Sequence, residues 1–373
     1  MSQTAPPPTL AERMLGWRNR LIASSRFQAW AARTPFTRAI ARAQAAGLFD
    51  LVAGFVYSQV LVACVELELP QMLADGPLAT DAVAARAGLD ASAADRLLKA
   101  AAALGLVRRA RGGWMLGQRG AALLGNPGVL AMVRHHGLLY ADLADPVGLL
   151  RGRAGVLGHY WPYARAADPG AASSAEIANY SALMAASQPM IAAQVLGAYQ
   201  FARHRRLLDI GCGAGAFLLA VGRACPALQL VGFDLPAVAE VARATFDAVG
   251  WATRAEAFGG DMFADALPHG ADVVSLVRVL HDHDDEAAQG LLARIHAILP
   301  QGGRLLIVEP MAGTPGARAV GDAYFGFYLL AMGSGRARQP SEIGAMLNAA
   351  GFARSRLLAT SMPLLARVIV AQV

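Results

Sequence analysis

Charge is scarce in this sequence, and lysine is almost absent from it. Charged residues make up 16% of the 373 residues, a low share for a soluble protein, and Lys99 is the only lysine beside many arginines. The bias toward arginine is interpreted as genomic base composition, and the alternative is that a net charge of +6 serves binding to anionic lipid, nucleic acid or an acidic ligand. Hydrophobic residues reach 55%, so the chain can bury sizeable cores, and its length favours two domains.

Several kinds of site are also missing. The three scattered cysteines form neither a disulfide framework nor a metal-binding pattern, and they fit a reducing cytoplasm. The first ten residues are polar and proline-rich and lack the apolar core of a signal peptide. No Gly-x-x-x-x-Gly-Lys segment is present, which excludes a P-loop. The apolar run from Leu51 to Val65 is too short to span a membrane, so we expect a buried helix there.

Residues 1–45 form a basic N-terminal arm, in which seven arginines alternate with apolar side chains. Met14, Trp17 and Leu21 share one face of a predicted helix. Basic side chains, with tryptophan between the polar and apolar faces, are typical of a helix that lies on a membrane surface. The arm would then bind the membrane peripherally. The alternative is an arm that packs on its own protein or on a partner subunit.

Residues 46–195 are predicted to be mostly helical and to resemble a winged helix. A helix from Thr80, a second helix capped by Asp90 and a short hairpin around Gly112-Gly113-Trp114 follow one another in that order. DNA binding would require basic side chains along the second helix, which offers only Arg96 and Lys99. We therefore expect this domain to serve dimerisation and to bind no nucleic acid.

Residues 196–373 change to alternating strands and helices, the pattern of an α/β domain with a parallel sheet. We predict strands over 206–210, 228–233, 273–276, 304–309 and 368–371, with helices over 216–224, 237–249 and 285–298.

A glycine-rich turn joins the first of these strands to its helix, in the run Asp209-Ile210-Gly211-Cys212-Gly213-Ala214-Gly215. Its glycines let the backbone turn tightly and approach a ligand closely. Asp234 ends the next strand, where a carboxylate can bind both ribose hydroxyls, and Asp261 follows near the end of another. An NAD(P) site is the competing interpretation, but Asp209 suits a cationic sulfonium or an amino group better than a pyrophosphate.

This motif resembles the glycine-rich loop of class I S-adenosylmethionine-dependent methyltransferases. Three further segments resemble the plant-type O-methyltransferase family within that class, namely Gly232-Phe233-Asp234-Leu235-Pro236, Gly259-Gly260-Asp261-Met262-Phe263 and Arg278-Val279-Leu280-His281-Asp282-His283. The resemblance implies a Rossmann-like C-terminal domain, a homodimer formed through the winged-helix domain, and S-adenosylmethionine as the cofactor.

The same resemblance implies roles for individual residues. The cofactor would be bound by Asp209, Gly211, Gly213, Gly215, Asp234, Leu235, Asp261, Met262 and Arg278. His281 would be the general base and Glu309 would orient it, whereas Asp282, Asp284 and Asp285 are interpreted as a solvated helix start and not as a metal site. His135, His136 and His159 are left as structural or pocket residues.

One position departs from the family pattern. Where the family often has a second glutamate near the histidine, this chain has Ala337, within Gly335-Arg336-Ala337-Arg338-Gln339. The base would then have one carboxylate partner instead of two, which argues against a phenol-type mechanism with a strongly supported histidine.

The expected acceptor site is apolar and aromatic, with Tyr180, Met184, Phe325, Tyr328 and Met332 as its candidate residues. Ordinary helix core is the alternative interpretation of these segments. Residues 18–24, 55–61 and 322–335 resemble the bacterial hydroxycarotenoid O-methyltransferases of purple phototrophs, which methylate 1-hydroxycarotenoids such as hydroxyneurosporene and demethylspheroidene. We therefore expect a cytoplasmic enzyme of carotenoid biosynthesis, peripheral on the inner or photosynthetic membrane. The alternatives are an O-methyltransferase of a soluble phenol or polyketide, and a catalytically inactive DNA-binding regulator.

Overall fold

The structure is a computed structural model that describes residues 7–160 and 187–373. Close contacts divide the chain into two compact units, Met1–Gly120 and Ala121–Val373. The boundaries that we predicted from the sequence, after residues 45 and 195, follow changes of composition and stay a prediction.

The first unit is helical with a small hairpin. Its helices are α1 Leu10–Ala23, α2 Ser25–Arg33, α3 Arg38–Glu66, α4 Leu69–Met72, α5 Thr80–Ala87 and α6 Ala91–Ala103, followed by strands β1 Val107–Ala110 and β2 Gly113–Leu116. The side chains of Thr9 and Glu12 form a capping box at the start of α1, and Asp90 accepts a hydrogen bond from Ala93 N at the start of α6. The predicted helix, capped second helix and hairpin therefore occur in the expected order.

Helix α3 corrects one prediction. The helix has 29 residues, about twice the length of the apolar run, and only Cys64 and Val65 are buried in it. Leu51 is 81% exposed and Phe55 is 72% exposed, so this apolar surface is not covered by the described part of the chain. By length and composition α3 is apolar enough to cross a membrane, a test that core helices of soluble proteins also pass. The expectation of a buried helix is therefore wrong for this chain by itself.

The second unit surrounds a seven-stranded sheet. Helix α7 Gln118–Leu124 includes the boundary between the units in the sequence, and α8 Pro127–Leu143, α9 Pro146–Leu150 and α10 Leu157–Tyr160 follow it. Residues 187–198 are also helical. The alternating part contains β3 Arg206–Ile210, α11 Ala216–Ala224, β4 Gln229–Asp234, α12 Pro236–Ala248, β5 Ala255–Gly259, β6 Val273–Val277, α13 Asp285–Ile298, β7 Arg304–Glu309, α14 Phe325–Met332, α15 Pro340–Ala349, β8 Arg354–Leu358 and β9 Arg367–Gln372.

The sheet has the strand order β5-β4-β3-β6-β7-β9-β8, in which β9 pairs antiparallel with both of its neighbours and the other pairs are parallel. Successive residues of a strand point to opposite faces, so Leu207 and Leu208 enter two different buried clusters, one on each face of the sheet. The strand order reverses between β3 and β6. Open α/β sheets bind ligands in the crevice at the carboxyl ends of such strands, so the topology places the site there.

Candidate active site

The glycine-rich turn between β3 and α11 lies at this crevice. Gly211, Gly213 and Gly215 have φ angles of 72°, 55° and 77°, a left-handed conformation that favours glycine. A side chain at Gly211 would meet Val279 and one at Gly215 would meet the ring of Phe246, whereas Gly213 faces open space. Protein side chains therefore pack against the turn at Gly211 and Gly215, while the open space at Gly213 lets a ligand approach the backbone.

Two carboxylates flank this turn. Asp209 is buried and accepts a hydrogen bond of 2.6 Å from Ser275 Oγ, and Asp234 accepts hydrogen bonds from the backbone N–H groups of Gly213 and Leu235. Burial raises the pKa of Asp209 to about 7 and the pKa of Asp234 to about 6. Within residues 7–160 and 187–373, neither carboxylate forms an ion pair. A cationic ligand would stabilise both, and S-adenosylmethionine carries a sulfonium and an amino group, so the residues fit this cofactor.

The third acidic residue lies in the turn after β5. Gly260 N donates to the carbonyl of Asp234, which joins this turn to the end of β4. Asp261 accepts a hydrogen bond from Phe263 N, and Met262 packs partly buried against the core of that sheet face. The structure thus brings the three predicted acids to one edge of the sheet, while their roles toward a cofactor stay predictions.

Arg278 follows β6 with an unusual backbone conformation. Its φ angle is 59°, which a side chain with a β-carbon rarely adopts and which costs about 1 kcal/mol or more. Its guanidinium donates to Ser187 Oγ at 2.8 Å and to Gln188 Oε1 at 2.9 Å. Such strain is concentrated at functional sites, so the conformation agrees with the predicted place of Arg278 near the cofactor.

His281 and Glu309 come together at the carboxyl ends of β6 and β7. Both are buried, Glu309 Oε2 accepts a hydrogen bond from the backbone N–H of His281, and His281 Nδ1 lies 3.7 Å from the same oxygen. Burial alone lowers the pKa of His281, but the carboxylates of Asp282 and Glu309 outweigh it and leave the pKa above its usual value. Burial raises the pKa of Glu309. The positive charges of His281 and Arg338 lower this pKa but do not cancel the rise.

Asp282 corrects a second prediction. Its Oδ1 lies 3.0 Å from His281 Nε2, and its side chain is 17% exposed, so it is not part of a solvated helix start. Asp284 accepts from Gly335 N, and Asp285 pairs with two arginines of the segment around Ala337. The histidine therefore has a second carboxylate beside it although position 337 supplies none. The position of Asp282 directly after His281 in the sequence was the signal that could have identified this carboxylate.

Aromatic side chains form a wall beside the histidine. The Phe325 ring centroid is 6.0 Å from that of His281, and Tyr324 packs on Phe325 and Tyr328. Helix α8 supplies two histidines to this wall, as His136 Nε2 lies 2.8 Å from the Tyr324 hydroxyl and His135 Nε2 lies 2.9 Å from the Tyr328 hydroxyl. Burial lowers the pKa of both histidines, to about 4 for His135, so they are neutral.

Two of the predicted acceptor residues belong to a buried core. Tyr328 and Met332 are buried in a cluster with Leu139, Leu149 and Leu157, which is the helix-core alternative. Tyr180, Met184 and the side chain of His159 lie outside the described residues. No cluster of three or more metal-ligating side chains occurs in the described ranges.

Comparisons with known proteins identify the two parts of the chain. Residues 140–353 match the model of the O-methyltransferase domain, and residues 49–125 match that of the O-methyltransferase dimerisation domain. The demethylspheroidene O-methyltransferase of Cereibacter sphaeroides is 45% identical over 355 residues, which cover 94% of this chain and 93% of that protein. The enzyme of the same name from Rhodobacter capsulatus is 43% identical, over 95% of this chain and 88% of its own.

Solved structures agree with this family. Human N-acetylserotonin methyltransferase, solved in complex with S-adenosylmethionine, superposes with a TM-score of 0.73 and 26% identity over 87% of this chain and 96% of its own. The mitomycin 7-O-methyltransferase MmcR superposes with a TM-score of 0.73 and 26% identity over 90% of this chain and 100% of its own. The predicted fold, a helical dimerisation domain before a Rossmann-like methyltransferase domain, is confirmed.

Proposed function

The chain belongs to the O-methyltransferase family, and on that basis we propose that it transfers the methyl group of S-adenosylmethionine to the hydroxyl of a 1-hydroxycarotenoid of the hydroxyneurosporene or demethylspheroidene type. The observation that carries the proposal is the buried pair of His281 and Glu309 at the carboxyl edge of the sheet, beside an aromatic wall. Two relatives with 45% and 43% identity over nearly the whole chain support the carotenoid acceptor.

The residues of this chain divide the chemical work. When bound, S-adenosylmethionine supplies an electrophilic methyl group on a sulfonium. Asp209 would face the cationic groups of the cofactor and Asp234 would bind its ribose hydroxyls, and the turn at Gly213 leaves room for it. His281 takes the proton of the acceptor hydroxyl, and Glu309 stabilises the imidazolium that forms. Because a tertiary alcohol is weakly acidic, proton removal accompanies methyl transfer, and alignment of the reacting atoms supplies most of the rate.

The aromatic wall suits an apolar acceptor. The hydroxyls of Tyr324 and Tyr328 are engaged by His136 and His135, both neutral, and the ring of Phe325 lies beside His281. A long polyene gains more from such surface than a small polar phenol does.

The test is an acceptor panel. Purified protein is incubated with S-adenosylmethionine labelled in its methyl group and with 1-hydroxyneurosporene, demethylspheroidene, N-acetylserotonin or simple phenols in detergent micelles. We expect label only in the two carotenoids, as a methyl ether that mass spectrometry locates at carbon 1. Turnover of the phenols alone would exclude the carotenoid acceptor and support the soluble-acceptor alternative.

We propose in addition that the chain is a homodimer and a peripheral membrane protein of the cytoplasmic side. The match to a dimerisation domain and the exposed apolar surface of α3 support a dimer. Helices α1 and α2 contain one buried residue between them and expose Trp17 and Trp30 among arginines, which supports contact with anionic lipid. Flotation with anionic and with neutral vesicles tests this contact, and binding to neither would exclude it.

A regulatory role on DNA is less well supported. On the second helix of the winged-helix unit, α6, Lys99 forms an ion pair with Asp95 at 2.6 Å, so among the described contacts Arg96 is the basic side chain of this helix that remains for phosphates. We propose that the chain binds no nucleic acid, and a gel-shift assay with genomic fragments at low salt tests this, since retarded fragments would contradict it.

A further inference from the structure

The segment after α14 holds the turn that carries His281. A short 3-10 helix, Leu280–Asp282, presents the histidine, and residues 334–338 lie directly against it. Ser334 Oγ donates to the carbonyl of Asp282, and Gly335 N donates to Asp284. The contact is so close that a β-carbon at Gly335 would lie 2.1 Å from the carbonyl oxygen of His281. Only glycine can occupy this position without moving the histidine backbone.

Arg338 contacts the histidine turn on both sides of His281. Its side chain is completely buried, with Nη1 donating to the Leu280 carbonyl at 2.9 Å and Nη2 donating to the His283 carbonyl at 2.7 Å. These carbonyls stand immediately before and two residues after His281. Asp285 balances the charge, as its Oδ1 lies 2.9 Å from Arg338 Nε. A planar guanidinium can bind both carbonyls and a carboxylate at once, which the single ammonium of a lysine does poorly.

The backbone of Arg338 reaches the other partner of the histidine. Its carbonyl accepts a hydrogen bond from Ala312 N at 3.0 Å, three residues after Glu309 ends β7. One residue is therefore bonded both to the turn that bears His281 and to the segment that continues from Glu309. Its positive charge also opposes the protonation of Glu309.

We propose that Arg338 is a positioning residue, which fixes the His281 turn against Glu309 through the carbonyls of Leu280 and His283. The inference rests on the proposed function, since it takes His281 to be the base. In this chain Ala337 contributes no carboxylate, and the buried arginine next to it holds the histidine by its backbone instead. Arg338 itself touches neither the histidine ring nor the oxygen of Glu309 through a hydrogen bond within the described contacts.

The variants R338A and R338K test the proposal, with R336A as the matched control. Arg336 lies two residues away and also pairs with Asp285, but it is exposed and contacts no carbonyl of the histidine turn. For each protein we would measure kcat, the KM of the acceptor that turns over in the panel, the Kd of S-adenosylmethionine and the melting temperature. R338A is also assayed with guanidinium ion at non-denaturing concentrations.

We expect kcat to fall about 100-fold in R338A, the loss that a misplacement of about 1 Å can cause, and about tenfold in R338K. The Kd of S-adenosylmethionine stays within about threefold, guanidinium restores part of the R338A rate, and R336A stays within about twofold of the parent. Rescue by guanidinium is a result that a loss of general stability would not give.

Parental kcat in R338K overturns the proposal, as does a loss of kcat and cofactor affinity together that guanidinium does not reverse. If R338A fails to fold, kcat and the Kd of S-adenosylmethionine are measured for R338K and D285N instead, and the same outcomes support or overturn the proposal. H281A, measured in parallel, separates the two claims. A fully active H281A refutes the assignment of the base, whereas an inactive H281A beside a normal R338K refutes the positioning role alone.

Discussion

The two ends of the active-site crevice handle buried negative charge in opposite ways. At the glycine-rich turn, Asp209 and Asp234 are held by a hydroxyl and by backbone N–H groups, and burial raises the pKa of each. At the other end, Glu309 and Asp282 lie 3.7 Å and 3.0 Å from the ring nitrogens of His281, and the buried Arg338 lies close by. The first end leaves its charge uncompensated, while the second contains its own cations.

This difference in charge indicates which group each end of the crevice can bind. Uncompensated buried carboxylates favour a cation that arrives from solution, because its charge repays part of their cost of desolvation. A histidine between two carboxylates binds a proton more tightly, which suits a group that must accept one during the reaction. Substitutions at the first end should therefore change binding, and those at the second should change the rate.

The largest expected effect is that of H281A. Removal of the proton acceptor should lower kcat about 10² to 10⁴-fold. The Kd of S-adenosylmethionine, measured by titration calorimetry, should stay within about threefold because the carboxylates that hold the cofactor are untouched.

H296A is the control for H281A, because the ring of His296 packs on Phe352 away from the crevice. Its kcat should stay near that of the parent. A parental kcat in H281A, or an equal loss in both variants, would remove the distinction between the two ends.

The next effect is that of D209N. Asparagine can still accept the hydrogen bond of Ser275 but carries no charge, so the affinity for S-adenosylmethionine should fall about tenfold, or about 1.4 kcal/mol. The same change removes an uncompensated buried charge, so the melting temperature of the protein without cofactor should rise at pH 8.

Asp272 provides the matched control, because it lies at the opposite ends of the strands and accepts from Arg206 N and His204. D272N should lower stability and leave the cofactor affinity unchanged. Equal affinities of D209N and the parent would show that Asp209 does not sense the cofactor charge.

A third effect concerns pH. Because folding raises the pKa of Asp209 to about 7 and of Asp234 to about 6, the folded protein binds more protons than the unfolded chain. Their contribution to stability is complete below about pH 4, the ordinary pKa of aspartate, and is lost progressively as the pH rises from there to about 6 for Asp234 and about 7 for Asp209. A cationic cofactor prefers the ionised carboxylates, so the stabilisation by S-adenosylmethionine should grow over the same range.

Thermal melts with and without a fixed cofactor concentration measure this effect. The increase in melting temperature should be a few degrees larger at pH 8 than at pH 5.5, and D209N should reduce the difference. An increase that is the same at both pH values would contradict the assigned ionisation.

Local patterns made the cofactor end readable from the sequence. Strands and helices at 206–210, 216–224, 285–298 and 304–309 have the predicted bounds, because each is a continuous apolar or amphipathic run between glycine, proline or polar residues. The short strands β5 and β8 were not predicted with bounds. Asp209 precedes the glycine turn by two residues, whereas Asp234 ends the neighbouring parallel strand β4, so the pairing of β3 with β4 brings Asp234 to Gly213 N.

Contacts between distant segments made the histidine end harder to predict. Arg338 lies 58 residues from Leu280, and no local pattern distinguishes it from the exposed Arg336. The prediction that α3 is buried was wrong for a related reason. A sequence shows that a helix is apolar, but it does not show which molecule covers the apolar surface.

The smallest effect that we predict is a shift in the pH profile of D282N. The carboxylate of Asp282 helps to raise the pKa of His281, and the base must be neutral to accept a proton, so kcat of the parent should rise with pH through that raised pKa. Asparagine removes the charge and lowers the pKa of His281, so the acidic limb should move to lower pH, by less than about one unit.

D284N is the control for this shift, because Asp284 is exposed and its contact is with Gly335 N instead of the histidine ring. Its acidic limb should coincide with that of the parent. A D282N limb at the parental position would show that Glu309 alone sets the proton affinity of His281. The histidine would then have one effective carboxylate partner, as Ala337 implies, and the two ends of the crevice would differ less in compensated charge than their geometry indicates.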